Sequence, residues 1–339
     1  MLKNLPKITL LFAGGASLQL EDKEIISVLK ESDVTAWIDE FPELRLIADI
    51  DPVFVFPDGK EISTENWNTL SKEIADRYNS SDGFVVLHPL DSMLYTSSAL
   101  SFLLGNLAKP VVFTGSPLSP HMKSEKDVEG FMSHYRTLGV RANLINAIQV
   151  ATMNIPEVTI LFGNQLLRAN RARKSLSTSF NFFDTDDIDV LGSVDFGIKL
   201  KEPNRKAPKG KLQLSELNNP YLALVRIHPD YRQEEFADVL KEKPDGILIQ
   251  TYLQSGIKEN LKPYIQIAYQ QGIPVVVFNP FIADVMNVKG VYIASGISYE
   301  ALYAKFVWAL SSGKSASEVL KLLDKNIAHE FAQEKEGSV

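Results

Sequence analysis

The sequence predicts an α/β protein built as two domains. Three observations carry that expectation. Short apolar runs rich in β-branched residues recur along the chain, helical patterns lie between them, and one stretch interrupts the rhythm. At 339 residues the chain is also longer than a single hydrophobic core usually supports.

The apolar runs are Ile8–Phe12, Gly83–Leu87, Pro110–Phe113, Val158–Phe162, Leu222–Ile227, Ile247–Gln250 and Pro274–Phe278. Apolar on both faces, they read as buried strands of a mainly parallel sheet. The opening, MLKNLPKITLLFAGGAS, has the look of a signal peptide, but its apolar core ITLLF is too short for one and far too short to span a bilayer. A strand running into a glycine turn is expected there, in a cytoplasmic protein. LEDKEIISVLKESD, which follows, reads as the start of an amphipathic helix. Near the other end, Leu302, Phe306, Ala309 and Leu310 share one helical face, with Ser298 as N-cap. SASE then gives Ser315 and Glu318 the spacing of a capping box. The stretch KLKEPNRKAPKGKLQL lacks any sustained apolar period and reads as a linker. The expected division is therefore an N-terminal domain over 1–198, a linker over 199–218 and a C-terminal domain over 219–339.

Composition narrows the function. A net charge of -7 and a pI near 5.4 argue against a nucleic-acid partner. The absence of cysteine excludes disulfides, thiol nucleophiles and cysteine-ligated metals, and it fits a reducing compartment. The five histidines, His88, His121, His134, His228 and His329, have no metal-ligand spacing, and no P-loop, GxGxxG or HExxH motif occurs. No metal, other cofactor or membrane partner is expected.

Ligands of open parallel sheets sit beyond the carboxyl ends of the strands. Two such ends carry candidates: AGGAS after the first run, and HPLDS after Gly83–Leu87. Glycine pairs let backbone approach a ligand, and amides at such a turn can hold an oxyanion or carboxylate. A glycine pair alone is equally the mark of a tight turn.

The segment HPLDSMLYTSSALSF, beginning at His88, resembles the active-site segment of the L-asparaginase/glutaminase amidohydrolases, usually HGTDTMAYTASALSF. The resemblance extends to the first glycine turn, to PEVTILFGNQLLRANRARK and to the C-terminal strand–turn–helix series. It implies an asparaginase-like α/β fold, with a larger N-terminal domain, a smaller flavodoxin-like C-terminal domain, and a homodimer or homotetramer. The family's TGGT aligns with Ala13, Gly14, Gly15 and Ala16, which puts Ala16 at the nucleophilic threonine. Leu90 stands at the second catalytic threonine, ahead of Asp91 and Ser92. By the same resemblance Lys174 falls on the catalytic lysine, Asp91 on the carboxylate that orients it, and Ser92 on a position that helps hold substrate. The serine that contacts the substrate carboxylate aligns with Gly59, followed by Lys60. Glu300 falls on an acid that contacts the substrate amine from a partner subunit. Leu253, Gln254, Ser255 and Gly256 cover a turn whose usual asparagine is missing. No tyrosine occurs between Ala16 and Tyr78, so the family's lid tyrosine has no counterpart.

A proton-handling pair is thus expected to persist without the hydroxyls it would activate, and a nucleophile must lie within reach of its base. Ser17 is the nearest remaining hydroxyl. Consecutive side chains on extended backbone point apart, so it substitutes for Ala16 only if the turn is rearranged. Three readings follow. One is an amidohydrolase of asparagine or a related amide using Ser17 or a water. The second, favoured by the combined losses, is a non-catalytic protein that binds an amino acid or dicarboxylate, or serves in assembly. The weakest is an ammonia-supplying amidotransferase component.

Overall fold

The structure, a computed structural model, describes residues 5–19, 25–116, 138–175, 182–186, 189–195, 197–201, 206–253, 257–279 and 290–331. The chain divides into two compact units, 1–214 and 215–339.

Unit 1 is built on one large sheet. Its strands are β1 (Lys7–Ala13), β2 (Asp49–Phe56), β3 (Gly83–Leu87), β4 (Val111–Thr114), β5 (Val158–Phe162), β6 (Gln165–Arg168), β7 (Val190–Val194) and β8 (Ile198–Leu200). They lie in the order β8-β7-β6-β5-β4-β3-β1-β2. The strands from β2 to β5 in that order run parallel, and β6, β7 and β8 extend the sheet antiparallel. Strand β1 is buried along nearly its whole length and lies inside the sheet between two parallel neighbours, with Leu11 paired to Val53 and to Val86. Strand β2 sits at the edge, where Pro52 costs no ladder hydrogen bond. Its half-exposed residues hide it from any search for continuous apolar runs.

Among the described residues the helices of this unit are α1 (Asp33–Asp39), α2 (Thr64–Arg77), α3 (Leu90–Leu103) and α4 (Leu138–Ala151). Helix α3 is mostly buried, its Leu, Met and Phe side chains sharing the interior with the hydroxyls of Thr96, Ser97 and Ser98. The Trp67 indole on α2 donates to Thr96 Oγ1 on α3 at 3.1 Å, tying the two helices together.

The helix expected across LEDKEIISVLKESD does not form there among the described residues. Ile25–Ile26 pairs antiparallel with Leu18–Gln19, and the first helix begins only at Asp33. Val28 is fully buried while Leu29 is exposed, an alternation suited to extended chain. At the end of the aperiodic stretch after β8, Gln213–Leu214 pairs antiparallel with Leu104–Gly105.

Unit 2 is a four-stranded parallel sheet in sequential order, β9 (Leu222–Arg226), β10 (Gly246–Gln250), β11 (Val275–Phe278) and β12 (Val291–Ala294). Helices α5 (Gln233–Lys241) and α6 (Lys262–Gln270) cover one face. Helices α7 (Tyr299–Ser312) and α8 (Ala316–Asp324) cover the other. Ser298 caps α7 as expected, accepting from Ala301 N–H at 3.3 Å. At α8 half of the expected capping box forms. Ser315 accepts from Glu318 N–H, but the Glu318 carboxylate reaches one residue further back, to Lys314 N–H at 2.8 Å. No helix among the described residues is long and apolar enough to cross a membrane.

Unit 2 also holds a buried ion pair. Lys305 Nζ lies 2.6 Å from Glu330 Oε1 and donates to the carbonyls of Leu323 and Lys325, while Glu330 accepts from Ile327 and Ala328 N–H. The pair clamps the segment after α8 onto α7.

Candidate active site

Three strand ends meet beyond the carboxyl edge of the unit 1 sheet. Strand β1 ends in Gly14–Gly15, β2 in Pro57–Asp58–Gly59, and β3 in His88–Pro89. Gly14 has φ +94°, a left-handed conformation that favours glycine, and a side chain there would press on Pro57 O and on the Pro89 ring. Gly15 leaves still less room, since a Cβ would lie 2.2 Å from the His88 carbonyl carbon and oxygen. The close approach that the glycine pair permits is therefore to the neighbouring strand's own backbone. Ser116 N–H donates to Gly15 O at 3.0 Å and stitches the turn to the end of β4.

Ala16, at the nucleophile position, is 0% exposed and belongs to the core cluster with Phe12, Leu18, Val28 and Trp37. Its carbonyl accepts from the Trp37 indole at 2.5 Å, and its N–H donates to Asp58 Oδ1 at 2.9 Å. Ser17 is 1% exposed; its hydroxyl donates to Asp58 Oδ2 at 3.1 Å and lies 2.8 Å from Ser27 Oγ. The hydroxyl that was the candidate replacement nucleophile is thus committed to internal partners. Leu90 opens α3 and is itself buried, at 7% exposure.

Asp58 was not singled out by the sequence. It lies 42 positions from Ala16, and only the pairing of β1 with β2 brings the two together. Burial pushes its carboxyl above the usual aspartate range, opposed by the hydrogen bonds from Ala16, Val28 and Ser17. Beside it Gly59 adopts φ +80° in a turn closed by Lys60 N–H to Pro57 O at 3.3 Å. Gly59 and Lys60 are exposed, and the Lys60 ammonium lies 5.8 Å from the centre of the Phe56 ring.

Asp91 lies exposed in the first turn of α3, and Ser92 beside it is half-buried. Lys174 is exposed on a two-residue strand with Arg173, paired to Phe183–Asp184, and its ammonium rests over the Phe182 ring at 5.2 Å. Among the described residues Asp91 and Lys174 form no ion pair or hydrogen bond with each other, which departs from the expected proton-handling pair. The basic stretch before Lys174 is largely spent internally. Arg168 donates to Glu157 at 2.6 Å, and Arg171 pairs with Asp189 at 2.5 Å, both with little exposure. Ala169–Arg171 packs on α3 and so fixes where the Lys174 strand leaves the sheet.

His88 is fully buried. Its Nδ1 lies 3.0 Å from Pro89 O, and burial pushes its pKa down to about 4, so the ring is neutral at physiological pH. Glu300 lies half-buried in the first turn of α7, in unit 2, with burial pushing its carboxyl up. Gln254, Ser255 and Gly256, like His121 and His134, fall outside the described residues. Among the described residues no group of histidines or acids has the geometry of a metal site.

Residues 7–206 match the family model for the asparaginase N-terminal domain, well over half of the chain. The chain belongs to the asparaginase family. It is 27% identical to L-asparaginase 1 of Escherichia coli K12, in an alignment covering 81% of this chain and 82% of that protein. It is 24% identical to a glutamyl-tRNA(Gln) amidotransferase component of Pyrococcus abyssi, covering 96% of this chain and 77% of the relative. The fold matches L-asparaginase I of Vibrio cholerae with a TM-score of 0.77 at 24% identity, over 97% of this chain and all of the other.

Proposed function

We propose that this asparaginase-family protein does not carry out ordinary threonine-dependent amide hydrolysis. In its place it holds a small amino acid or dicarboxylate through Asp91, Ser92 and Lys174. The observation that carries the reading is the state of position 16: a side chain without oxygen, packed in the core, on a backbone amide already bonded to Asp58. Nucleophilic catalysis needs an attacking atom within reach of its base. Leu90 offers none, and the Ser17 hydroxyl is turned into the protein. Asp91 and Lys174 are both exposed and unpaired with each other, one able to meet a ligand's ammonium and the other its carboxylate. The half-buried Ser92 adds a hydroxyl next to Asp91. By the family resemblance, Glu300 of a second copy of the chain and a dimeric or tetrameric assembly belong to the same proposal.

Ammonia release from asparagine and glutamine tests the first half. None above background is expected, and turnover at ordinary asparaginase rates that Lys174→Ala abolishes would overturn it. Thermal shift against aspartate, glutamate and succinate tests the second, because a specific ligand raises the melting temperature by mass action. A shift is expected for the parent and not for Asp91→Asn or Lys174→Ala; equal responses in all three proteins would remove these residues from the site.

A further inference from the structure

Three hydrogen-bond donors from two chain segments converge on one buried side chain beside position 16. Asp58 Oδ1 accepts from Ala16 N–H at 2.9 Å, and Oδ2 accepts from Val28 N–H at 3.0 Å and from Ser17 Oγ at 3.1 Å. Ser17 has a single hydroxyl proton. Because that proton goes to Asp58, the 2.8 Å contact with Ser27 Oγ must run from Ser27 to Ser17, which orients the Ser17 hydroxyl. The backbone that carries the carboxylate is held independently, by Asp58 N–H to Val28 O at 2.9 Å and by the Lys60–Pro57 turn. Among the described residues no cation pairs with Asp58. Its charge is held by directed N–H and O–H groups alone, the way a carboxylate ligand is held in a nest of amides.

We propose that these donors form a carboxylate-binding nest which the chain fills with its own side chain. Asp58 acts as an internal ligand that closes the first turn of the site. The Ala16 amide and the Ser17 hydroxyl, the polar groups that turn would otherwise offer to an external anion, are both consumed. The nest takes a small monocarboxylate once Asp58 is shortened: formate first, then acetate, in order of size. This deepens the proposed function and rests on it in one respect only: the anionic end of a bound ligand is left to Lys174.

The test is chemical rescue on the full chain. Asp58→Ala removes the carboxylate and leaves the three donors facing a vacated space. Its melting temperature is expected to fall below the parent's and to rise saturably with sodium formate, by about 3–6 °C at ten times the dissociation constant. Acetate is expected to act more weakly, and sodium chloride at equal ionic strength not at all. The parent, whose nest is filled, and Asp58→Asn, whose amide fills the space, are expected to respond equally to formate and chloride. Equal responses of Asp58→Ala to the two salts would overturn the proposal, as would a formate response in the parent. If Asp58→Ala does not fold on expression, refolding in formate and in chloride is the readout. Recovery in formate alone supports the nest, and recovery in both or in neither overturns it. Ammonia release by the parent is unaffected by this outcome, so failure of the nest and failure of the hydrolysis reading are told apart.

Discussion

Ala16→Thr is the sharpest perturbation of this site, because it returns a hydroxyl to the position where the family keeps its nucleophile. The structure gives that hydroxyl an unfavourable home. Position 16 is fully buried against Phe12, Leu18, Val28 and Trp37, and both backbone polar groups of Ala16 already have partners. Two added heavy atoms in a packed core cost about 1–3 kcal/mol in displaced neighbours. A buried hydroxyl without a partner costs about 1–3 kcal/mol more. A bond to Asp58 Oδ1, which already accepts the Ala16 amide, would relieve the second cost. The expected loss is about 3 kcal/mol, or roughly 6–12 °C in melting temperature at about 2–4 °C per kcal/mol. Ala16→Val, with the same shape and no oxygen, separates the two contributions and should lose only the first. Urea and thermal denaturation of the parent and both variants measure this, with ammonia release from asparagine assayed alongside. Adding Leu90→Thr to Ala16→Thr restores both family hydroxyls, and release is expected to stay at the parent's level. An Ala16→Thr protein that melts within about 1 °C of the parent, or a double variant that hydrolyses asparagine, would refute the placement of position 16 in the core.

Other expectations are independent of that one. His88 has a folded pKa near 4 against about 6.5 unfolded, so the unfolded chain binds the extra proton between those values. Its contribution is present in full above pH 6.5 and is lost as pH falls toward 4, about 3 kcal/mol in all. His88→Asn should flatten that part of the urea-midpoint profile; because Asp58, with its raised pKa, acts in the opposite sense at low pH, the parent-minus-variant difference is the quantity to read. Lys305→Met strands the Glu330 carboxylate in the interior and should cost about 3–5 kcal/mol, while Lys305→Met with Glu330→Gln should recover much of it; equal losses in the single and double variants would mean that the pair's charge is irrelevant. Among the described residues Lys174→Ala gives up an exposed cation–π contact, about 0.5–1 kcal/mol, yet should abolish the thermal response to succinate. A large stability loss there would make Lys174 a structural residue.

Much of the fold was legible in the sequence because its signals are local. Val158–Phe162 and Gly83–Leu87 are apolar on both faces since each lies inside a sheet covered on both sides, and that condition leaves a continuous apolar run. Edge strands leave no such trace. Asp49–Phe56 is half-exposed along most of its length and carries Pro52, and Ile198–Leu200 is too short to register. The Ile25–Ile26 strand was hidden differently, because the acidic and basic residues around it also fit one face of a helix. Tertiary pairing with Leu18–Gln19 decided between the two.

The sequence by itself determined which atoms the site lacks: an alanine and a leucine cannot supply an oxygen, whatever surrounds them. It also established the ancestry, through a run of residues in HPLDSMLYTSSALSF that no change of environment alters. Only the tertiary structure decided where the remaining polar groups point. Ser17 faces Asp58, Ala16 packs into the core, and Lys174 lies on Phe182 without bonding to Asp91, because burial and hydrogen bonding join residues that sheet pairing brings together across tens of positions. Chemical identity is a local property of the chain, whereas the company a side chain keeps is not.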